Sequence, residues 1–152
     1  MHRLKIVSMV LLTIVVISGC ERFKLDRQME ELCRKDGGVK VYETVTLPPD
    51  EYARLFTSAT SKNGDRYYGP EYRYVQHRAV IAGKDADPEK GQGRLSRWSE
   101  EIYRRLDGKL LGESVFYIRA GGDGFTFGFH PSSNVCPRPR AGLGTSVFLK
   151  GE

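Results

Sequence analysis

Three kinds of side chain in this 152-residue chain carry potential covalent or metal chemistry: cysteine, histidine and clustered carboxylate. The cysteines are Cys20, Cys33 and Cys136, and no two form the Cys-x-x-Cys pair used by redox centres and zinc sites. The histidines are His2, His77 and His130. His77 lies beside Arg78 in an alternating stretch, where a surface imidazole is the default. His130 precedes Pro131-Ser132-Ser133. Adjacency in sequence does not make a triad, and the strained Gly-x-Ser-x-Gly elbow that presents a nucleophile is absent. A hydrogen-bonding loop histidine is the simpler reading. Asp85-Ala86-Asp87-Pro88-Glu89 opens like a calcium loop, but Lys90 stands where the sixth-position glycine belongs and Ser96 where the final glutamate belongs. Glu100 and Glu101 are adjacent, so in a strand they point to opposite faces and form no carboxylate pair. No Gly-x-x-x-x-Gly-Lys-Ser/Thr phosphate loop occurs. These residues predict no catalytic group, no metal site and no cofactor.

The N-terminus is more specific. Met1-His2-Arg3-Leu4-Lys5 carries two fixed positive charges, and Ile6 to Ile17 is apolar apart from Ser8 and Thr13. Roughly a dozen apolar residues suit a signal-peptide core and fall short of the ~20 that span a bilayer. Small Ser18 and Gly19 then lead into Cys20. The box Ile17-Ser18-Gly19-Cys20 resembles that of bacterial lipoprotein signal peptides, a resemblance confined to residues 1–20. It implies a signal peptide over 1–19, a diacylglyceryl group on the Cys20 thiol, cleavage before Cys20 and acylation (palmitate) of the new amino group. A single globular domain over 20–152 would remain. Several chains at ~0.8 kcal/mol per buried CH₂ hold durably, whereas one is reversible. An uncleaved anchor helix and an ordinary cleaved signal compete, but the latter leaves Cys20 as an odd thiol in an oxidising space. Glu21 replaces the aspartate that retains such lipoproteins in the inner membrane. In a two-membrane bacterium the resemblance therefore implies the periplasmic face of the outer membrane.

With Cys20 lipidated, Cys33 and Cys136 remain, and a cysteine pair in an exported chain reads as a disulfide. It would join the end of the first helix to a loop near the C-terminus. Closing a loop of about 100 residues contributes on the order of 4–5 kcal/mol by chain entropy. A redox pair and metal ligation are the alternatives, and the missing Cys-x-x-Cys counts against both.

Lys and Arg number 24 and Asp and Glu 19, a formal charge of +5. Removing Arg3 and Lys5 with the signal leaves 22 against 19, or +3. That balance argues against a nucleic-acid partner and suits weak attraction to anionic headgroups. Apolar content is 39%, enough for a folded core rather than a disordered stalk.

The elements that must position these residues follow from periodicity. Glu21 to Lys35 reads as a helix, with Leu25, Met29 and Leu32 at helical spacing and Gly37-Gly38 as its stop. Val39 to Leu47 is β-branched and alternating, a strand ended by Pro48-Pro49. Asp50 to Phe56 reads as a short helix, Ser58 to Asp65 as a loop and Tyr72 to Ile81 as a strand. Gly83 to Gly93 is a charged loop, the segment expected to be freest to move. Leu95 to Leu106 suits either a helix or a strand. Asp107-Gly108 is a two-residue hairpin signal, so strands are expected on both sides of it, with the second from Leu110 to Arg119. Gly121 to Gly124 makes a turn, Phe125 to Phe129 a strand and Thr145 to Lys150 a last short strand. The fold class is α+β: an N-terminal helix packed on an antiparallel sheet of about five or six strands, with one disulfide.

Phe125, Phe127 and Phe129 line one strand face and read as core. Tyr67, Tyr68, Tyr72 and Tyr74 cluster around Gly69-Pro70 and interleave with Arg66, Arg73 and Arg78. That composition suits either a partner-binding face or packing at a sheet edge. Three functions are compatible with this sequence. The first is a membrane-anchored, non-enzymatic envelope lipoprotein that binds an unidentified protein, as an immunity-type protein or an accessory factor. The second is a carrier for lipid or glycan, with a cavity lined by the phenylalanines. The third is a hydrolase acting on wall or lipid, which needs a nucleophile or acid pair that the chain does not offer. The first is the expectation carried forward.

Overall fold

The computed structural model describes residues 21–57, 67–124, 131–138 and 142–152. Cys20, Arg66, His130, the Ser58–Asp65 loop and the Phe125–Phe129 strand lie outside the described residues. The fold is α+β, with a helix packed on a mostly antiparallel sheet and one disulfide.

Helix α1 covers residues 21–36. Leu25, Met29 and Cys33 recur every four residues and are buried, which makes one face apolar. Beyond the helix, Gly38 turns the chain at φ +126, a conformation that glycine adopts without a Cβ clash. Strands β1 (Gly38–Val41) and β2 (Val45–Leu47) replace the single strand expected over Val39–Leu47. β1 runs antiparallel to β5 (Leu110–Ala120), with Gly38 opposite Val115. β2 leaves that sheet and runs parallel to β7 (Phe148–Lys150). The break has a visible cause. The Tyr42 and Glu43 N–H groups both donate to the Leu111 carbonyl, which interrupts the ladder. The Glu43 carboxylate then turns to Arg104 and Lys109.

Helix α2 (Pro49–Thr57) starts on a proline and carries Asp50 and Glu51 in its first turn, where the helix dipole favours them. Strands β3 (Tyr72–Ala82) and β4 (Arg94–Arg104) follow, and β4 resolves the Leu95–Leu106 ambiguity as strand. The sheet order is β1-β5-β4-β3, with β6 (Ser133–Cys136) also paired to β5. The β4–β5 connection is wider than the expected two-residue turn. The Arg104 N–H bonds the Lys109 carbonyl, so residues 105–108 form the loop. Asp107 explains the width: it accepts the Lys109 N–H and pairs with Arg104 at 3.0 Å.

Two further expectations are corrected. Cys136 ends strand β6 and is not in a loop. Thr145–Lys150 is not one strand, because Leu143–Val147 forms helix α3 before β7. There the Thr145 and Ser146 hydroxyls both bond back to the Gly142 carbonyl, a local alternative to strand pairing. The Gly83–Gly93 loop is tied down by its own bonds. Asp87 caps a 3-10 turn at Pro88–Lys90, and the Gly122 and Gly124 N–H groups both reach the Gly91 carbonyl.

The chain divides into two compact units. One joins α1 to Ala79–Arg97 and Tyr117–Cys136. Its buried residues include Leu25, Met29, Leu95 and Tyr117. A Cβ on Gly93 would lie 2.3 Å from the Leu25 side chain, which would have to shift to admit it. The Cys33–Cys136 disulfide closes the same unit. The other unit comprises Asp36–Arg78, Trp98–Phe116 and Pro137–Glu152, around a core that includes Leu47, Tyr68, Tyr72, Ile102, Leu111, Val147 and Phe148.

The bond spans 103 residues, so its loss frees a large loop in the unfolded chain. Cys33→Ala with Cys136→Ala is expected to lower the unfolding free energy by about 4 kcal/mol in urea titrations of the oxidised protein. A loss under about 1 kcal/mol would mean that chain entropy is not what the bond supplies.

Candidate binding face

The tyrosine cluster belongs to the second unit, and the structure divides its members. Tyr68 and Tyr72 are core: they are 7% and 9% exposed and pack on Phe148 at 5.3 and 4.7 Å between ring centroids. Neither belongs to an exposed tyrosine face, which corrects that part of the expectation. The reason is the short α3. A Cβ on Gly144 would lie 2.4 Å from the Tyr68 hydroxyl, so this glycine makes room for the phenol. Tyr68 accepts a backbone hydrogen bond there.

Tyr67 remains outside, 47% exposed. Its ring meets Tyr68 edge-on at 4.8 Å and Tyr74 at 5.4 Å. Tyr74 is half-buried on the same face of β3 as Gln76 and Arg78, because strand side chains alternate. Gln76 donates to the Tyr74 hydroxyl at 3.4 Å and to Glu100 on β4 at 3.3 Å. Arg78 lies over the Trp98 ring at 5.0 Å, and Trp98 is parallel to Phe116 at 6.1 Å. Tyr67, Tyr74, Gln76, Glu100, Trp98 and Arg78 thus form a face that alternates aromatic and polar groups. Arg73 points away from it. Its guanidinium sits 4.4 Å from the Tyr103 centroid, and Tyr103 donates to Glu101 at 2.8 Å. Glu100 and Glu101 therefore serve different partners on opposite faces of β4. Arg66 lies outside the described residues.

The sequence reading missed Trp98 and Phe116 as members of this face. The signal was available: once β4 is a strand, Trp98 and Glu100 share a face by alternation, and a neighbouring β3 brings Arg78 beside them.

A groove of about 500 Å³ adjoins Tyr72, with Leu47, Leu55 and Pro70 apolar and Glu51, Arg54 and Glu71 polar. These polar groups are two carboxylates and one guanidinium at the groove. His77 is exposed. In the other unit, Ser132 donates its hydroxyl proton to Asp123 at 2.7 Å and accepts from Arg119 at 2.6 Å. Burial pushes the Asp123 carboxyl up, but the side-chain and backbone hydrogen bonds from Ser132, with the Arg22 and Arg119 charges, outweigh it and lower its pKa. Asp87, in the segment that opens like a calcium loop, accepts the Glu89 N–H and pairs with Lys90 at 3.4 Å. No cluster of three or more His, Cys, Asp or Glu residues suited to a metal occurs among the described residues.

The chain matches no protein-family model, and neither curated proteins nor solved structures give a significant match.

Burial pushes the Tyr68 hydroxyl well above its ordinary value of 10.0, with the neighbouring Tyr67 and Glu100 adding to it. Burial also raises Tyr74, followed by the Glu100 charge. The fold thus prefers both phenols neutral. Their contribution is complete below the ordinary pKa and is lost as pH rises above it, because the unfolded chain ionises first. Unfolding free energy is expected to fall from pH 10 upward, and Tyr68→Phe to flatten that fall. An unchanged pH dependence in Tyr68→Phe would contradict the assignment.

Proposed function

We propose that this protein is a lipid-anchored, non-enzymatic lipoprotein of the bacterial cell envelope that works by binding another protein. The observation that carries the reading is the Ile17-Ser18-Gly19-Cys20 box behind a basic head and an apolar run. Helix α1 begins its described span at residue 21, so no linker separates the acceptor cysteine from folded structure. The Cys33–Cys136 disulfide supports the same reading, since such bonds persist in oxidising compartments. No helix among the described residues is long and apolar enough to cross a membrane.

The contact surface in this proposal is the face of Tyr67 and Tyr74 with Gln76, Glu100, Trp98 and Arg78. Aromatic rings backed by buried neighbours lose little entropy on binding, and a guanidinium beside them adds directional donors. Tyr67 supplies the exposed aromatic surface and Arg78 the cation. An immunity-type role and an accessory role in envelope assembly both use such a face. The outer-membrane, periplasm-facing location rests on Glu21 following the acceptor cysteine.

The groove beside Tyr72 favours one second reading, a small apolar ligand with a polar head. Its volume is within the range of small-molecule sites, and its lining mixes Leu47 and Leu55 with Glu51 and Arg54.

Labelled palmitate is expected to enter the wild-type protein and to be absent from Cys20→Ala, with the unprocessed chain accumulating. Incorporation that survives Cys20→Ala would refute the anchor. Capture of the crosslinked partner from solubilised envelopes is expected to fall at least tenfold in Tyr67→Ala with Arg78→Ala. Equal capture by that variant and wild type would move the contact elsewhere.

A further inference from the structure

Phe23 is 73% exposed on α1. A single apolar side chain on a surface needs no partner, but the company and position of this one are specific. It shares a shallow concavity with Lys24, Arg27, Gln28 and Glu31. Burial of Leu25, Met29 and Cys33 fixes the rotation of the helix, so Phe23 is held outward. Asp26 is turned inward to Arg119. The outward side chains of 23–27 are therefore one phenyl ring and the cations Lys24 and Arg27. Arg27 faces Glu31 at 3.6 Å with both side chains more than half exposed, 84% and 52%. Such a pair is weak, and the guanidinium can exchange the carboxylate for another anion.

Distance supplies the second argument. Phe23 follows Cys20 by three residues. A chain extends at most ~3.6 Å per residue, so the two lie within about 11 Å in any conformation. The headgroup layer of one leaflet is roughly 5–8 Å deep. A lipid on Cys20 therefore keeps Phe23 inside the headgroup layer or no more than about 6 Å beyond it. Glu31, in the same concavity, is the carboxylate that Arg27 can exchange for a lipid phosphate, and Glu30 lies about two turns beyond Phe23, roughly 10 Å by helical rise.

We infer that the Phe23, Lys24 and Arg27 face of α1 is a membrane-contact surface for anionic phospholipid. This deepens the proposed function and rests on its lipid anchor. The phenyl ring enters the boundary between headgroups and acyl chains, and the two cations meet phosphate groups, as aromatic and basic residues do at an interface. The contact turns a one-point tether into a docked helix, which limits how the domain can rotate on its leash.

The test uses the full-length, processed protein reconstituted into phosphatidylethanolamine–phosphatidylglycerol vesicles with acyl chains brominated near the headgroup. The chain has one tryptophan, so Phe23→Trp with Trp98→Phe makes position 23 the only tryptophan, excited selectively over the tyrosines. An intact Cys33–Cys136 bond by mass verifies folding of each variant. The expected result is co-flotation with the vesicles and at least twofold quenching. Lys24→Glu with Arg27→Glu, or phosphatidylcholine in place of phosphatidylglycerol, is expected to halve that quenching. Co-flotation with unquenched emission would overturn the contact surface and leave the anchor standing. Protein that fails to float would overturn the anchor, and the contact with it. Quenching that ignores both charge reversal and headgroup would overturn the anionic specificity.

Discussion

Arg119 is 1% exposed, and its guanidinium has been taken almost wholly out of water. Removing a charge from water costs several kcal/mol, and only complete matching of its donors offsets that cost. The matching here is thorough. Asp26 on α1 accepts from Nε at 2.9 Å and from Nη2 at 3.4 Å. Nη1 donates to the Gly121 carbonyl at 2.8 Å, the Ser132 carbonyl at 2.9 Å and the Ser132 hydroxyl at 2.6 Å. Ser132 in turn holds Asp123, and Asp123 pairs with Arg22 back on α1 at 3.2 Å. A helix, strand β5 and the residues before β6 thus meet at one planar cation. Lysine could not replace it, because a point charge lacks the fork that serves five acceptor contacts in fixed directions.

The disulfide serves the same unit to the same end, at a second point on the helix. Hydrophobic packing by Leu25 and Met29 is non-directional and would tolerate sliding of α1 along its axis. The Arg119–Asp26 pair fixes the axial position near the start of the helix, and Cys33–Cys136 fixes it two turns later. Both contacts span about a hundred residues, 93 for Arg119–Asp26 and 103 for the disulfide. The loop entropy they oppose is correspondingly large.

This division explains what could be read from the sequence. Elements with strong local signals were legible: α1 from Leu25 and Met29, β3 from its alternation, β5 from the Asp107-Gly108 turn signal before it. The disulfide was legible because two cysteines were left after one was assigned. Several missed features depend on partners distant in sequence. Nothing near Glu43 announces that Arg104 and Lys109 will draw its carboxylate and break the strand. Arg119 reads as an ordinary strand arginine, since its carboxylate partner Asp26 lies 93 residues away. Tyr68 reads as a surface residue beside Tyr67 until Gly144, far along the chain, opens the space for its hydroxyl. Asp107-Gly108 shows that a correct turn signal still leaves the loop length open, because it was the aspartate side chain that set the width.

The way polar groups are used bears on the reading of this protein as a contact module. Ser132 gives its proton to Asp123 and accepts from Arg119, and these two residues bond in turn to Arg22 and Asp26 on α1. Glu100 receives Gln76, and Glu101 receives Tyr103. These carboxylates stabilise neighbours on the sheet surface and are not aimed into a shared cleft. The charge in these clusters is spent on rigidity. In the proposed contact role, a rigid sheet that presents an exposed tyrosine and an arginine stacked on a tryptophan would lose little entropy on binding.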